Sequence, residues 1–488
     1  MKGQTMTSKY TRRTILRNAA SGGAALAVGA NAASFAQGQS APERPNIVFI
    51  IADDMGHADI SCNGARDFVT PNIDRIAAQG ARFTQAYANS PVCTASRVAI
   101  ITGRYQVRLA VGLEEPIAPI TKPDVGLPPE HPTLPSLLKK AGYGTTLVGK
   151  WHLGNLPEFS PLKSGYDHFF GYRSGAVDYF RHVNTGGKPD LWDGDHPVEQ
   201  AGYLTTILGD HAVNVIEEYA QAHQPFLLSL HFSAPHWPWE GPDDQAESDR
   251  LGGHNLRDYD GGSRETYRKM VLALDEQVGR VLKTLEDHGL SRDTIVIFTS
   301  DNGGERFADT WPFNGRKTEL LEGGLRIPAL ICWPARIKAG LVSEQVTANM
   351  DWLPTLLAAA GAAPDPAYPP DGMNLLPQIA DGAAPIERRL FWRYKSQWQR
   401  AARIGDWKYL KILDNTFLFN VASDPMERAD LKERNKDIYQ HLVAEWNTWN
   451  ATMLPEVATS FTENNRSKEW ADRPGANPVT LDPDPELK

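Results

Sequence analysis

The chain has 488 residues, of which 41% are hydrophobic and 22% charged, with a formal net charge of −9 and only three cysteines. That length and apolar content suffice for a large core divided over two or three units. The acidity argues against nucleic acid as a partner, and three cysteines exclude a disulfide scaffold.

The first element in chain order is an export signal over residues 1–36. Thr11-Arg12-Arg13-Thr14-Ile15-Leu16-Arg17 resembles a twin-arginine motif, and a weakly apolar, small-residue stretch runs from it to a cleavage site at Ser34-Phe35-Ala36. This stretch is too short and too rich in Gly, Ala and Ser to span a bilayer, and no other segment approaches a span. No cysteine follows it to carry a lipid anchor. The expectation is a soluble periplasmic or secreted protein without a membrane association. Loss of residues 1–36 removes five basic and no acidic residues, which leaves the remainder more acidic still.

Four later segments share one layout, a short β-branched apolar run that stops abruptly in polar residues. Asn46–Ile51 ends in Ala52-Asp53-Asp54, Gly144–Val148 in Gly149-Lys150-Trp151-His152, Pro225–Phe232 in Ala234-Pro235-His236, and Thr294–Thr299 in Ser300-Asp301-Asn302. Between them lie helical patterns: Pro71–Gly80 with Thr70 as cap, Thr133–Ala141, Thr205–Gln221 and Ser263–His288. Strands alternating with helices predict an α/β fold, a large and mostly parallel sheet covered on both faces. Ligands bind beyond the carboxyl ends of such strands, so the four polar endings should gather at one edge.

That convergence defines a candidate site. Asp53, Asp54, Asp301 and Asn302 offer hard oxygen ligands from two strands, a set suited to Ca²⁺ or Mg²⁺ and not to a thiolate-loving metal. Cys93 opens a predicted helix ending near Thr102, where backbone N–H groups and the helix dipole favour an anion.

The run Pro91-Val92-Cys93-Thr94-Ala95-Ser96-Arg97, with Thr102-Gly103-Arg104, resembles the signature of type I sulfatases, enzymes of the alkaline phosphatase superfamily; Ala95 stands where the commoner form has Pro. Gly315–Pro328 resembles the second long signature of that family, and Gly149–Gly154 and Ala234–Pro238 match further motifs. The resemblance implies that Cys93 is oxidised to formylglycine by a dedicated formylglycine-generating machinery. It also implies a Ca²⁺ ion held by Asp53, Asp54, Asp301 and Asn302 with the residue at position 93. Arg97, Lys150 and His152 would flank that residue, and His236 and Lys317 would face the substrate. In the implied reaction a hydroxyl of the hydrated aldehyde attacks sulfur, His236 or Lys317 protonates the departing alcohol, and His152 helps the second hydroxyl expel sulfate. With Cys93 consumed in this way, a Cys62–Cys332 bridge stays open.

The resemblance covers nearly the whole chain after residue 36. It implies a catalytic domain over 43–375, a boundary near Pro364–Pro370, and a C-terminal subdomain over 385–462. In that subdomain a small antiparallel sheet, carrying Arg403–Leu410 and Leu418–Asn420, precedes a helix over Asp437–Asn450. Residues 463–488 are expected to wrap the surface without regular structure. The substrate class implied is an aryl sulfate ester or a sulfated carbohydrate, with the Trp311–Leu325 segment most like sulfatases acting on galactose or N-acetylgalactosamine sulfates. Trp237, Trp239, Trp311, Trp392 and Trp398 are candidates to stack on a sugar ring, with no more than a third of them expected in a pocket, and His57 is a candidate to reach substrate. Two other functions stay open on the sequence alone: a two-metal phosphoesterase of the same superfamily, and a noncatalytic sulfated-glycan binding protein.

Overall fold

In the computed structural model, which describes residues 44–118, 124–253, 256 and 261–463, the four apolar runs are neighbouring strands of one large sheet. Thr294–Ser300, Asn46–Ala52, Phe226–His231 and Gly144–Lys150 lie side by side in that order, with His168–Tyr172 beyond them, and all five run parallel. Ala329–Cys332 adds to the outer side of Thr294–Ser300 in the antiparallel sense. Because helices cover both faces, the central strands read as unbroken apolar runs. Along Asn46–Ala52, Val48 and Ile50 join the core under the helices Leu204–Ala222 and Arg264–Asp287. Ile47, Phe49 and Ile51 point the other way, to Leu134–Lys140 and Trp352–Ala359.

Two helix starts carry side-chain caps, and the predicted cap at Thr70 does not form. The Thr133 hydroxyl accepts from Ser136 N at 3.2 Å while Ser136 Oγ accepts from Thr133 N at 2.9 Å, and Ser263 Oγ accepts from Thr266 N at 3.0 Å. Thr70 differs. Its hydroxyl accepts from Ser61 N at 2.9 Å and reaches Asp74 Oδ1 at 3.2 Å, so it ties the preceding loop to the helix Pro71–Gln79 without capping that helix's backbone.

Beyond the main sheet, Arg389–Tyr394, Gln399–Ile404, Trp407–Ile412 and Asn415–Asn420 form a four-stranded antiparallel meander. The helix Lys436–Asn450 covers it with Leu442, Trp446 and Trp449, and Trp446 Nε1 donates to Trp392 O at 2.8 Å. This third core takes in Val92, Ala95 and Ala99, so the C-terminal unit packs directly behind the helix that starts at Cys93. Buried charges join the two units. Lys408 Nζ lies 2.9 Å from Glu322 Oε1 and 2.9 Å from Glu427 Oε1, Arg326 Nε lies 2.6 Å from Glu322 Oε2, and Tyr87 donates to Glu322 Oε2 at 2.7 Å.

Cys62 and Cys332 are both free thiols. No helix among the described residues is long and apolar enough to cross a membrane. The export signal of residues 1–36 and the tail from residue 464 onward lie outside the described residues.

Candidate active site

Sheet register assembles the acidic half of the site. Ala52 pairs with Ser300, so Asp53-Asp54 and Asp301-Asn302 leave adjacent strand ends together. Asp54 N donates to Asp301 Oδ1 at 3.2 Å, and Asn302 Nδ2 donates to Asp54 Oδ1 at 2.7 Å. Asp54 holds φ 60° and His152 φ 54°, left-handed conformations that cost a non-glycine residue about 1 kcal/mol or more and persist where the surroundings impose them.

Cys93 is the first residue of a ten-residue helix, Cys93–Thr102, buried at every position. Its Sγ lies 3.4 Å from Asp53 Oδ1 and 3.8 Å from Asp54 Oδ1. Three cations reach the carboxylates of this edge. Lys150 Nζ donates to Asp53 Oδ2 and to Gly175 O, Lys317 Nζ lies 2.7 Å from Asp54 Oδ2, and Arg97 Nε donates to Asp301 Oδ2 at 3.0 Å with Nη2 3.7 Å from Asp53 Oδ1. Gly149 permits this approach, since at φ 113° a Cβ there would stand 1.9 Å from His231 O on the neighbouring strand.

The two histidines are neutral and their tautomers are set by backbone carbonyls. His152 Nε2 donates to Ile117 O at 3.1 Å, which leaves Nδ1 a lone pair, buried and without a hydrogen-bond partner. His236 Nδ1 donates to Trp237 O at 2.6 Å, so Nε2 accepts from Lys317 Nζ at 3.3 Å. Burial, then the charge of Lys150, lowers the His152 pKa well below the ordinary value; burial, then Lys317, does the same for His236. Burial would lower Lys317 as well, but the adjacent Asp54 outweighs it and holds the amine protonated. Burial followed by the charge of Asp53 pushes the Cys93 thiol far up, so an unmodified cysteine here stays protonated and is a poor nucleophile.

The donor set fits a divalent cation. Asp53, Asp54, Cys93 and His236 bring potential ligand atoms within 4.8 Å of one another, and Asn302 Oδ1 is buried beside them without a hydrogen-bond partner. Burial pushes the Asp53 carboxyl up to about 7 against the opposing charge of Lys150, a penalty that a bound cation would reverse. Asp301 contributes less directly, because Arg97 and two backbone N–H groups already occupy its oxygens.

The ten residues proposed from the sequence as metal ligands or catalytic groups therefore meet at one strand edge. The indole candidates divide. A cavity of about 340 Å³ opens from Cys93, His152, His236 and Lys317, and Trp237 lines it. Trp239 packs edge-on against Phe307, Trp392 is buried with Nε1 donating to Ala88 O, and Trp311 is 50% exposed. His57 packs against Phe313 at a ring separation of 4.9 Å and does not line the cavity. Sequence reasoning missed Thr94, whose hydroxyl donates to His152 O and accepts from Ile117 N, and Gly175, whose hydrogen faces the imidazole. It also missed Phe461 and Glu463, which reach the same cavity from the far end of the chain. Thr94 lies inside the signature around Cys93, which gave no hint of its contacts, and the other three carry no local pattern that could have revealed them.

A parallel sheet with a metal-ready acidic edge, an adjoining helix-start cysteine and paired cations defines a hydrolase of the alkaline phosphatase-like fold. Residues 45–362 match the sequence model of the Sulfatase family, and the chain belongs to that family of sulfuric ester hydrolases. It is 34% identical over 392 residues to N-acetylgalactosamine-6-sulfatase of Mus musculus, an overlap covering 75% of this chain and 72% of the relative. It is similar to the crystal structure of Ps i-CgsB, with a TM-score of 0.78 and 29% identity over 89% of this chain and 98% of that one. The structure of Ps i-CgsB in complex with k-i-k-neocarrahexaose matches with a TM-score of 0.75 at the same identity and coverage.

Proposed function

We propose that this sulfatase hydrolyses the sulfate ester of a galactose or N-acetylgalactosamine unit, using a formylglycine made from Cys93 and a Ca²⁺ ion held by Asp53, Asp54, Asp301 and Asn302. The observation that carries the reading is the place of Cys93, its Sγ 3.4 Å from Asp53 Oδ1 and 3.8 Å from Asp54 Oδ1 at the start of a buried helix, where burial and the charge of Asp53 make an unmodified thiol a poor nucleophile. When bound, the cation supplies Lewis-acid activation of the nucleophile and neutralises charge on the sulfuryl oxygens.

The chain's own groups supply the remainder. Lys317 and Lys150 attract the ester's negative charge and stabilise it as the S–O bond breaks. His236 Nε2, 3.3 Å from the Lys317 ammonium, is placed to relay a proton to the departing alcohol oxygen. His152 Nδ1, an unpaired acceptor, is placed to take the proton of the group that expels sulfate. Net, one water is consumed, and the alcohol and sulfate are released. The galactose-type assignment is supported by the 34% identity to an N-acetylgalactosamine-6-sulfatase and by Trp237 in the cavity wall. The twin-arginine motif supports export to the periplasm or beyond, with the formylglycine-generating machinery as a partner of the chain before export.

The test is the mass of the tryptic peptide Phe83–Arg97 from protein made in its own host, which reports aldehyde or thiol at position 93. It is joined to sulfate release from aryl and sugar sulfates and to elemental analysis. One calcium per chain, an aldehyde and turnover are the expected results. An intact thiol with full turnover overturns the formylglycine reading, and two zinc ions per chain would favour a phosphoesterase.

A further inference from the structure

The cavity beyond Cys93 is lined on one side by the last described residues of the chain, more than 360 positions away in sequence. Thr462 forms a parallel bridge with Glu115. Glu463 N donates to Glu115 O at 2.6 Å, Glu115 N donates to Phe461 O at 3.0 Å, and Phe461 N donates to Glu114 Oε2 at 2.9 Å. Tyr394 OH donates to Glu463 O, and Lys395 Nζ donates to Ser460 O and, at 3.0 Å, to Ser460 Oγ. The segment is thus fastened on both flanks, to the loop Glu114–Ala118 and to the C-terminal meander.

Extended backbone alternates its side chains, and the alternation sorts this segment. Thr462 Oγ1 turns to Glu115 Oε2, while Phe461 and Glu463 both line the cavity. Glu463 is only 7% exposed and its charge acts on the ammonium of Lys317; Phe461 is 37% exposed, with an open apolar face on the same cavity as Trp237. The loop paired to this segment also carries Ile117, whose carbonyl orients His152. The segment is therefore one built wall of the catalytic cavity, with a carboxylate acting on Lys317 and an apolar ring beside it.

We propose that Phe461 and Glu463 determine specificity, selecting a neutral sugar ring that carries a single sulfate: the Glu463 carboxylate accepts hydrogen bonds from hydroxyls beside the ester and repels a second anionic group there. The sulfate itself is directed to Lys317 and Lys150, so one anion is welcomed and a neighbouring second one meets like charge. Phe461 and Trp237 offer apolar surface to the C–H faces of the ring. This inference rests on the sugar-sulfate reading above.

The experiment compares wild type, Glu463→Gln and Phe461→Ala on three substrates: N-acetylgalactosamine 6-sulfate, N-acetylgalactosamine 4,6-disulfate and 4-nitrophenyl sulfate. Wild type should favour the monosulfated over the disulfated sugar in kcat/KM, and Glu463→Gln should shrink that ratio by about tenfold or more. Phe461→Ala should raise KM for the monosulfated sugar more than KM for 4-nitrophenyl sulfate, with kcat on the sugar changed less than KM. A mono-to-disulfate ratio that Glu463→Gln leaves unaltered, or an equal loss on all three substrates in both variants, overturns the inference. Wild-type turnover of 4-nitrophenyl sulfate without turnover of either sugar removes the sugar-sulfate reading and this inference together, whereas intact sugar turnover with unaltered ratios removes this inference alone.

Discussion

Two buried charge clusters share the stretch Gly315–Pro328, and they differ in what they leave over. At the join with the C-terminal unit, Glu322 and Arg326 close with Lys408, Glu427 and Tyr87 into a network whose charges answer one another. At the strand edge, Lys317 joins Asp53, Asp54, Asp301, Arg97 and Lys150, yet Asn302 Oδ1 and His152 Nδ1 stay buried without partners and a cavity opens beside them. Burying charge is costly in both places. A closed network uses that charge to fix one packing arrangement, while an open one holds its unmatched groups ready for a ligand and a reaction.

The comparison can be broken at either end. The largest effect is expected from Cys93→Ala, which should lower kcat by about 10⁴-fold or more and leave the melting temperature nearly unchanged; a variant retaining a tenth of wild-type sulfate release would contradict the assignment. Cys93→Ser should stop after a single turnover, visible as a sulfated enzyme by intact mass. In the closed network, Lys408→Met should cost about 3–5 kcal/mol in urea unfolding, because it leaves two buried carboxylates without their shared cation. The kcat/KM of the protein that remains folded should not move.

Smaller effects sharpen the contrast. A Cβ at Gly175 would stand 2.7 Å from His152 Cε1, so Gly175→Ala should displace the imidazole and reduce kcat by about 10²-fold with stability little altered. Least of all, pH should act on the closed network through Glu427. Burial pushes its carboxyl up to about 7, with Lys408 opposing the shift, while Glu322 is held low because Lys408 and Arg326 outweigh its own burial. Folded protein therefore keeps a proton on Glu427 that unfolded chain loses from the ordinary glutamate value of 4.5 upward. This contribution is complete below that value and is lost as pH rises toward about 7. Glu427→Gln should flatten the stability profile in that window, by no more than about 1.4 kcal/mol per pH unit, the limit for one proton.

The α/β core and its edge were legible because the signal is local. β-branched runs, their abrupt polar ends and the helical patterns between them each occupy a few consecutive residues, and parallel register then brings Asp53 and Asp301 together. The motifs containing Cys93, Lys150, His236 and Lys317 were equally local. What sequence could not give is the partner of each group. Glu322 and Arg326 lie in the same long motif as Lys317 and serve packing, a division visible only once Lys408 and Glu427 arrive from beyond residue 400. The tryptophans Trp239, Trp311 and Trp392 looked like Trp237 along the chain, but burial against Phe307, solvent and the meander separates them. Glu463 opens the stretch whose polar composition suggested only a surface tail, and Phe461 lies at the end of the predicted C-terminal subdomain without a motif to mark it.

The bridge between Thr462 and Glu115 has a consequence for the order of events during synthesis. Position 93 leaves the ribosome long before the segment that completes its pocket exists, and at about 5–20 residues per second that interval lasts on the order of tens of seconds. The mature fold buries Cys93 to 1% exposure, so on the formylglycine reading proposed above a modifying enzyme would have this translational window, which ends when the segment around Thr462 docks on Glu115.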